Sequence, residues 1–165
     1  MNIDIFVGTW LLMGSISIKS ELEFIGETPA PNSVQNWLSG QSDQLLDTIE
    51  PTEGLVLTID PDGKFQEEKT GNPKIQWFDC EGVLATEVKP FGGCLKFFKS
   101  KVYLMADECP SWAKARDGKL RYNDGDTKIC DSIEVKNNRL IRTISVVTDD
   151  MYFDRVVVVY TKAIA

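Results

Sequence analysis

The residues that could carry out chemistry in this 165-residue chain are limited first by composition, because the sequence contains no histidine. That absence excludes Ser-His-Asp and Cys-His nucleophilic catalysis, histidine-ligated haem and most transition-metal sites. Any acid–base step must use Asp, Glu, Lys, Tyr or Cys side chains. The sequence therefore predicts no bound metal and no cofactor.

Two polar residues near the end of the chain are candidates for ligand contact. Tyr160 shares strand parity with Val156 and Val158, so an inward Tyr160 hydroxyl would be one of few polar groups inside. Arg142 lies among apolar residues of one parity, and an inward guanidinium requires an anion. A ligand carboxylate or enolate would supply that anion, as would an internal Asp or Glu. If the faces are reversed, Tyr160 bonds backbone or water and Arg142 is solvated.

Aromatic side chains form a second set of candidates. Trp77, Phe97 and Tyr103 lie on predicted strands, where they either line a pocket for a planar ligand or pack in an ordinary core. Trp37 lies on a predicted helix and faces either the mouth of a cavity or the wall of the fold.

The elements that must position these residues are mostly strands. Residues 6–19 alternate as a long first strand. From Leu55 onward, apolar runs are separated by turn sequences such as Pro61-Asp62-Gly63 and Asn137-Asn138, spaced about 8–12 residues apart. This pattern is typical of an all-β barrel or sandwich with roughly ten strands.

One segment between the first two strands shows helical spacing instead. It covers about residues 31–50, with Ser33 as N-cap ahead of Trp37 and Leu38. A second short helix is predicted over residues 42–49. Both helices are too short to be stable alone, so they must pack on the strands.

The sequences of the first and last strands resemble those of the calycin superfamily, which includes the lipocalins and fatty-acid-binding proteins. The first strand carries Gly8-Thr9-Trp10, and the last strand ends in Val159-Tyr160-Thr161-Lys162. The resemblance implies an antiparallel up-and-down β-barrel of about 8–10 strands, in a single domain over residues 1–165, with a short helical lid between strands 1 and 2. It also implies that Trp10 closes one barrel end, beneath a cation from Lys162 or Arg155.

The chain departs from fatty-acid-binding proteins at the ligand carboxylate. Those proteins end in Arg-x-Tyr, whose two side chains hold that carboxylate. Here Tyr160 matches the Tyr, but Val158 stands at the Arg position. The anion site implied by the resemblance is therefore incomplete.

Charge and cysteine usage restrict partners and location. The net charge of −7 makes nucleic acid and anionic membranes unfavourable partners, and the sequence predicts no membrane span. The four cysteines form no Cys-x-x-Cys pair and are predicted to be free thiols. Together with the lack of a signal peptide, this composition predicts a cytoplasmic protein.

Three functions are compatible with this reading. The leading hypothesis is a protein that binds a small hydrophobic ligand inside the barrel. The second is a cofactor-independent cyclase, isomerase or lyase that acts on a hydrophobic intermediate in the same cavity. The residue requirements of these two functions overlap. The third is an interaction domain whose barrel is filled with side chains.

Overall fold

A computed structural model describes most of the strands of this protein and one α-helix. Among its residues, no helix has the length and apolar character needed to cross a membrane. The structure describes residues 2–19, 24–25, 28–29, 33–39, 48–78, 84–85, 87–98, 100–107, 120–122 and 127–164.

The described elements are a 3₁₀ helix, one α-helix and fourteen strands. In chain order they are the 3₁₀ helix Ile3–Ile5, β1 (Gly8–Lys19), β2 (Phe24–Ile25), β3 (Thr28–Pro29), α1 (Ser33–Ser39), β4 (Glu50–Pro51), β5 (Leu55–Ile59), β6 (Lys64–Lys69), β7 (Trp77–Phe78), β8 (Leu84–Ala85), β9 (Gly92–Phe98), β10 (Lys101–Ala106), β11 (Leu120–Tyr122), β12 (Thr127–Lys136), β13 (Arg139–Thr148) and β14 (Tyr152–Lys162).

Eight strands close into one antiparallel barrel in the order β1-β5-β6-β9-β10-β12-β13-β14. Each barrel strand pairs with the next barrel strand along the chain, and β14 pairs back with β1. The predicted all-β, up-and-down barrel is confirmed. The pairing between β10 and β12 is short, at two residue pairs.

The hairpin between β12 and β13 fixes the register that matters most for the interior. Its turn residues Asn137 and Asn138 have φ angles of 53° and 61°, as a two-residue type I′ turn requires. That turn pairs Ile133 with Arg142 and Asp131 with Ile144. Asp131 and Arg142 are therefore diagonal neighbours on one face of the sheet, within reach of long side chains.

Strands β13 and β14 are buried on both faces, which their sequences could not reveal by simple alternation. One face carries Leu140, Arg142 and Ile144 into the barrel interior. The other face carries Ile141 and Val147 against apolar groups outside the barrel wall. Burial on both faces explains why neither parity of β13 stands out as the core face.

Helix α1 lies between the first two barrel strands, as predicted, and its described side chains pack on the outer wall of the barrel. Leu38 clusters with Val147 and Phe153. Trp37 Nε1 donates a hydrogen bond to the Asp154 carbonyl at 2.9 Å, and the Arg155 guanidinium lies 4.0 Å from the Trp37 ring centroid. Of the two orientations predicted for Trp37, the structure shows the one against the wall. The predicted second helix lies almost wholly outside the described residues.

Trp10, which is predicted to close one barrel end, belongs to the main core cluster inside the barrel. Trp10 is buried, and its Nε1 donates to the Phe6 carbonyl at 2.8 Å. Of the two predicted cations, Lys162 is the one over this ring, with Nζ 5.7 Å from the centroid. Gly8 has a φ of 140°, a backbone conformation that favours glycine. A Cβ at this position would lie 3.0 Å from Lys162 Cε, so glycine leaves room for the Lys162 side chain over the Trp10 ring.

The interior also receives side chains from the connection between β6 and β9. This connection contains β7 and β8, which pair with each other as a separate two-stranded sheet. Trp77 and Val88 are buried in the main core cluster, and Phe91 packs against it. The described residues of this connection thus fill part of the barrel.

We expect Trp10→Ala to lower the free energy of unfolding by about 3–5 kcal/mol, because it leaves a large cavity in the main core cluster. Urea denaturation followed by circular dichroism would measure the change. Leu11→Ala is the matched control, since Leu11 is the next residue and is 40% exposed. It should cost less than about 1 kcal/mol, and equal losses would contradict the role of Trp10.

Candidate functional site

Three charged side chains from three strands meet inside the barrel. They are Glu67 of β6, Asp131 of β12 and Arg142 of β13, with exposed fractions of 2%, 5% and 0%. We call this set the buried ion cluster. In the closed ring of eight strands, β13 is the fourth strand from β6 whichever way the ring is followed, so the two strands lie on opposite walls. The contact between Glu67 and Arg142 therefore spans the interior.

The contacts within the buried ion cluster are direct hydrogen bonds. Arg142 Nε donates to Asp131 Oδ1 at 2.9 Å, and Arg142 Nη2 donates to Asp131 Oδ2 at 2.7 Å. This is the paired geometry in which a guanidinium binds a carboxylate most strongly. Arg142 Nη1 donates to Glu67 Oε1. The other Glu67 oxygen, Oε2, accepts the Phe91 backbone N–H at 3.3 Å.

Aromatic rings lie beside the same guanidinium. Arg142 Cζ is 5.2 Å from the Trp77 ring centroid and 5.4 Å from the Phe91 ring centroid. Phe91 in turn contacts Phe65 edge-on, at a centroid distance of 5.9 Å. Cation–π attraction adds to the ion pairs in this dry environment.

Burial sets the protonation behaviour of the buried ion cluster. Removal from water raises the pKa of Glu67 above its ordinary value, and the Arg142 charge only partly opposes this effect. The same cause raises the pKa of Asp131. The two carboxylates in turn raise the pKa of Arg142, despite its burial, so the guanidinium remains charged. The set carries one negative charge in excess when both carboxyls are ionised.

Two buried donors near the cluster have no hydrogen-bond partner among the described residues. They are the Tyr160 hydroxyl and Trp77 Nε1, and both side chains are 0% exposed. Burial raises the pKa of Tyr160, and the nearby Arg142 guanidinium partly offsets the rise. A buried N–H or O–H without an acceptor is costly, so each of these groups requires one.

The structure brings together three of the six predicted ligand-binding residues. Tyr160, Arg142 and Trp77 meet in the interior. Phe97 belongs to a strand end and is 40% exposed. Tyr103 packs on the outer wall against α1, the helix that carries Trp37. Tyr103 and Trp37 therefore do not face the buried ion cluster.

Sequence reasoning missed Glu67 and Asp131, although both carry a signal. Asp131 lies at the centre of an alternating strand, between Ile129 and Ile133 on the same face. Glu67 is paired with inward Leu57 in the β5–β6 hairpin, so its side chain must also point inward. An internal acid had been one of two predicted partners for an inward Arg142, and it is the one the structure shows.

Two cavities lie outside the buried ion cluster. One of about 310 Å³ lies beside the short β10–β12 pairing and is lined by residues that include Phe6, Lys101 and Glu134. The other, of about 560 Å³, lies between the residue ranges 51–54 and 70–74. Neither lining includes a member of the cluster or its two unpartnered donors, and we assign no function to either cavity.

The remaining thiols and acids form no further centre in the described part of the chain. Cys94 is an exposed free thiol, and Cys130 is buried beside Leu38. Cys80 and Cys109 lie outside the described residues. No group of three or more His, Cys, Asp and Glu side chains that could hold a metal occurs within the described ranges.

Comparison with known proteins finds a likeness of structure. No family model matches the sequence, and no curated protein matches it. The chain is similar to zebrafish ileal bile acid-binding protein, seen in a crystal structure with cholic acid. The identity is 11% over 96% of this chain and 99% of that chain, with a TM-score of 0.36. The closed ring of eight antiparallel strands confirms the predicted barrel architecture.

We expect Arg142→Met to lower the free energy of unfolding by about 3–5 kcal/mol, because it leaves two carboxylates buried without a cation. The triple variant Glu67→Leu, Asp131→Leu, Arg142→Met should regain most of that loss, since no charge then remains inside. Chemical denaturation would measure both. Arg139→Met, an exposed change on the same strand, is the control and should change stability by about 0.5 kcal/mol or less. A triple variant no more stable than Arg142→Met would contradict this account.

The raised pKa of Glu67 also predicts how stability depends on pH. Between the ordinary pKa of 4.5 and the raised pKa, the folded protein retains a proton that the unfolded chain has released. The contribution of Glu67 to the free energy of unfolding is therefore complete below pH 4.5. It is lost as pH rises through the raised folded value. The advantage of wild type over Glu67→Gln in free energy of unfolding should therefore shrink as pH rises from about 4 to 8.

Denaturation series at several pH values would test this trend. Thr58→Ala provides the control, because Thr58 is exposed on the neighbouring strand and has no titratable group. Its difference from wild type should stay constant with pH. If the difference between wild type and Glu67→Gln stayed equally constant, or grew in favour of wild type as pH rises, the raised pKa of Glu67 would be contradicted.

Proposed function

We propose that this protein binds a small, largely apolar molecule inside its barrel, beside the buried ion cluster. One observation carries the proposal. The Tyr160 hydroxyl and Trp77 Nε1 are fully buried donors without partners among the described residues. A bound molecule with a hydrogen-bond acceptor would satisfy them, and its apolar part would gain about 25 cal/mol per Å² of surface removed from water.

The contacts of the two acids favour binding over acid–base catalysis. Both Asp131 oxygens accept hydrogen bonds from Arg142. Glu67 accepts one from Arg142 and one from the Phe91 backbone. Because all four carboxylate oxygens already accept hydrogen bonds from the protein, neither acid presents a free oxygen to a substrate proton. We therefore place binding ahead of a cyclase, isomerase or lyase activity.

Location and partners follow from the same proposal. We infer a cytoplasmic carrier or sequestering protein, which the exposed Cys94 thiol supports because such thiols persist in reducing compartments. The net charge of −7 supports a small molecule over nucleic acid as the partner.

The proposal predicts a separation between stability and binding in Tyr160→Phe. Removing a buried hydroxyl that has no hydrogen-bond partner within the described ranges should change the free energy of unfolding by less than about 1 kcal/mol. The same change should weaken binding of Nile red, an uncharged apolar dye with a ring carbonyl, by about 3–10-fold. Fluorescence titration would give the affinities, and Trp77→Phe should weaken binding similarly.

Matched controls exist on the outer wall. Tyr103→Phe and Trp37→Phe make the same chemical changes where α1 packs on the outer wall and should leave Nile red affinity unchanged.

Native mass spectrometry of protein purified from its own host should also show a retained small molecule. Failure of the dye to bind, together with ligand-free protein from the host, would instead favour an interaction domain with a filled barrel.

A further inference from the structure

We propose that the site selects uncharged molecules bearing a carbonyl or hydroxyl oxygen and discriminates against carboxylates. This inference rests on the proposed binding function and names the class of ligand. It is carried by the charges and contacts of the buried ion cluster, together with the nature of the two unpartnered donors.

The charge of the buried ion cluster opposes a second anion. Arg142 contributes one positive charge, whereas Glu67 and Asp131 contribute up to two negative charges, all within a wall of apolar side chains. A ligand carboxylate placed beside this set would add another negative charge without adding a cation. Coulombic repulsion in such a low-dielectric interior is much stronger than in water.

The charge of the guanidinium is already balanced by two protein carboxylates. Asp131 holds two of its N–H groups in bidentate geometry, and Glu67 holds a third from the opposite wall. A ligand carboxylate that replaced either acid would leave that acid buried without a cation. A ligand carboxylate that bound the two remaining N–H groups would bring a third carboxylate to a single cation.

The groups that do lack a partner are neutral donors. Tyr160 presents an O–H and Trp77 an N–H, both fully buried. A carbonyl or hydroxyl oxygen has two lone pairs with which to accept such bonds and brings no charge into the interior. An uncharged acceptor therefore satisfies the donors without the desolvation cost of an ion.

Pairs of ligands that differ only in this group would test the selection. Hexadecanoic acid and heptadecan-2-one share a long alkyl chain, while 2-naphthoic acid and 2-acetylnaphthalene share a planar ring system. Within each pair, a methyl group replaces one carboxylate oxygen at nearly constant shape. Isothermal titration calorimetry at pH 7.5 should give the ketone at least about tenfold higher affinity in any pair that binds.

The outcomes separate this inference from the function on which it rests. Equal or tighter binding of the acid in either pair would overturn the selectivity and leave binding itself supported. If neither member of either pair binds, and wild-type protein also fails to bind Nile red, the proposed function falls and the selectivity falls with it. A ketone preference supports both.

A charge variant distinguishes this cause from simple shape. Asp131→Asn removes the excess negative charge and should lower the ratio of ketone affinity to acid affinity by roughly tenfold. Glu67→Gln provides an independent version should the first variant fold poorly. Asp150→Asn is the control, because Asp150 pairs with Lys128 at an exposed turn and should leave the ratio unchanged. A ratio unaffected in both cluster variants would overturn the electrostatic selection.

Discussion

The interior of this barrel depends on one requirement, which is that a buried guanidinium must be neutralised from two sides. Arg142 is fully enclosed, and its partners come from a neighbouring strand and from the opposite wall. Residues 67, 131 and 142 can meet only if the ring is closed in the observed register. A slip in register would leave these charges buried without partners, which costs more than displacing apolar side chains within the core. The cluster thus makes the interior intolerant of alternative registers.

Buried side chains pack on both the inner and the outer face of the barrel wall next to this cluster. The walls formed by β12, β13 and β14 face the cluster on one side and the α1 region on the other. Arg142 and Arg155 illustrate the division. The first is held by acids inside, while the second lies over Trp37 outside and donates to the Ser145 hydroxyl at 2.9 Å. Two buried cations on opposite faces of the same wall therefore serve different parts of the structure.

Much of the fold was predictable from sequence, because it depends on local patterns. The Gly8-Thr9-Trp10 strand, the Asn137-Asn138 turn and the last strand each carry their own signal. The parity of Tyr160 was also readable. The partners of Arg142 were harder to predict, because Glu67 is 75 residues away and its inward direction depends on hairpin register. The position of α1 depends on tertiary packing, so no property of residues 33–39 alone could choose between mouth and wall.

The seam between β1 and β14 joins the two ends of the chain: Trp10 pairs with Lys162, and the Ala163 N–H donates to the Thr9 carbonyl at 2.8 Å. The first barrel strand therefore has its final neighbour only when β14 is present, and one edge of β1 stays open until then. Contacts of such long sequence separation are formed slowly, and an open edge can pair with other chains. Barrel closure consequently waits for β14, and chains truncated before β14 retain an unpaired edge on β1.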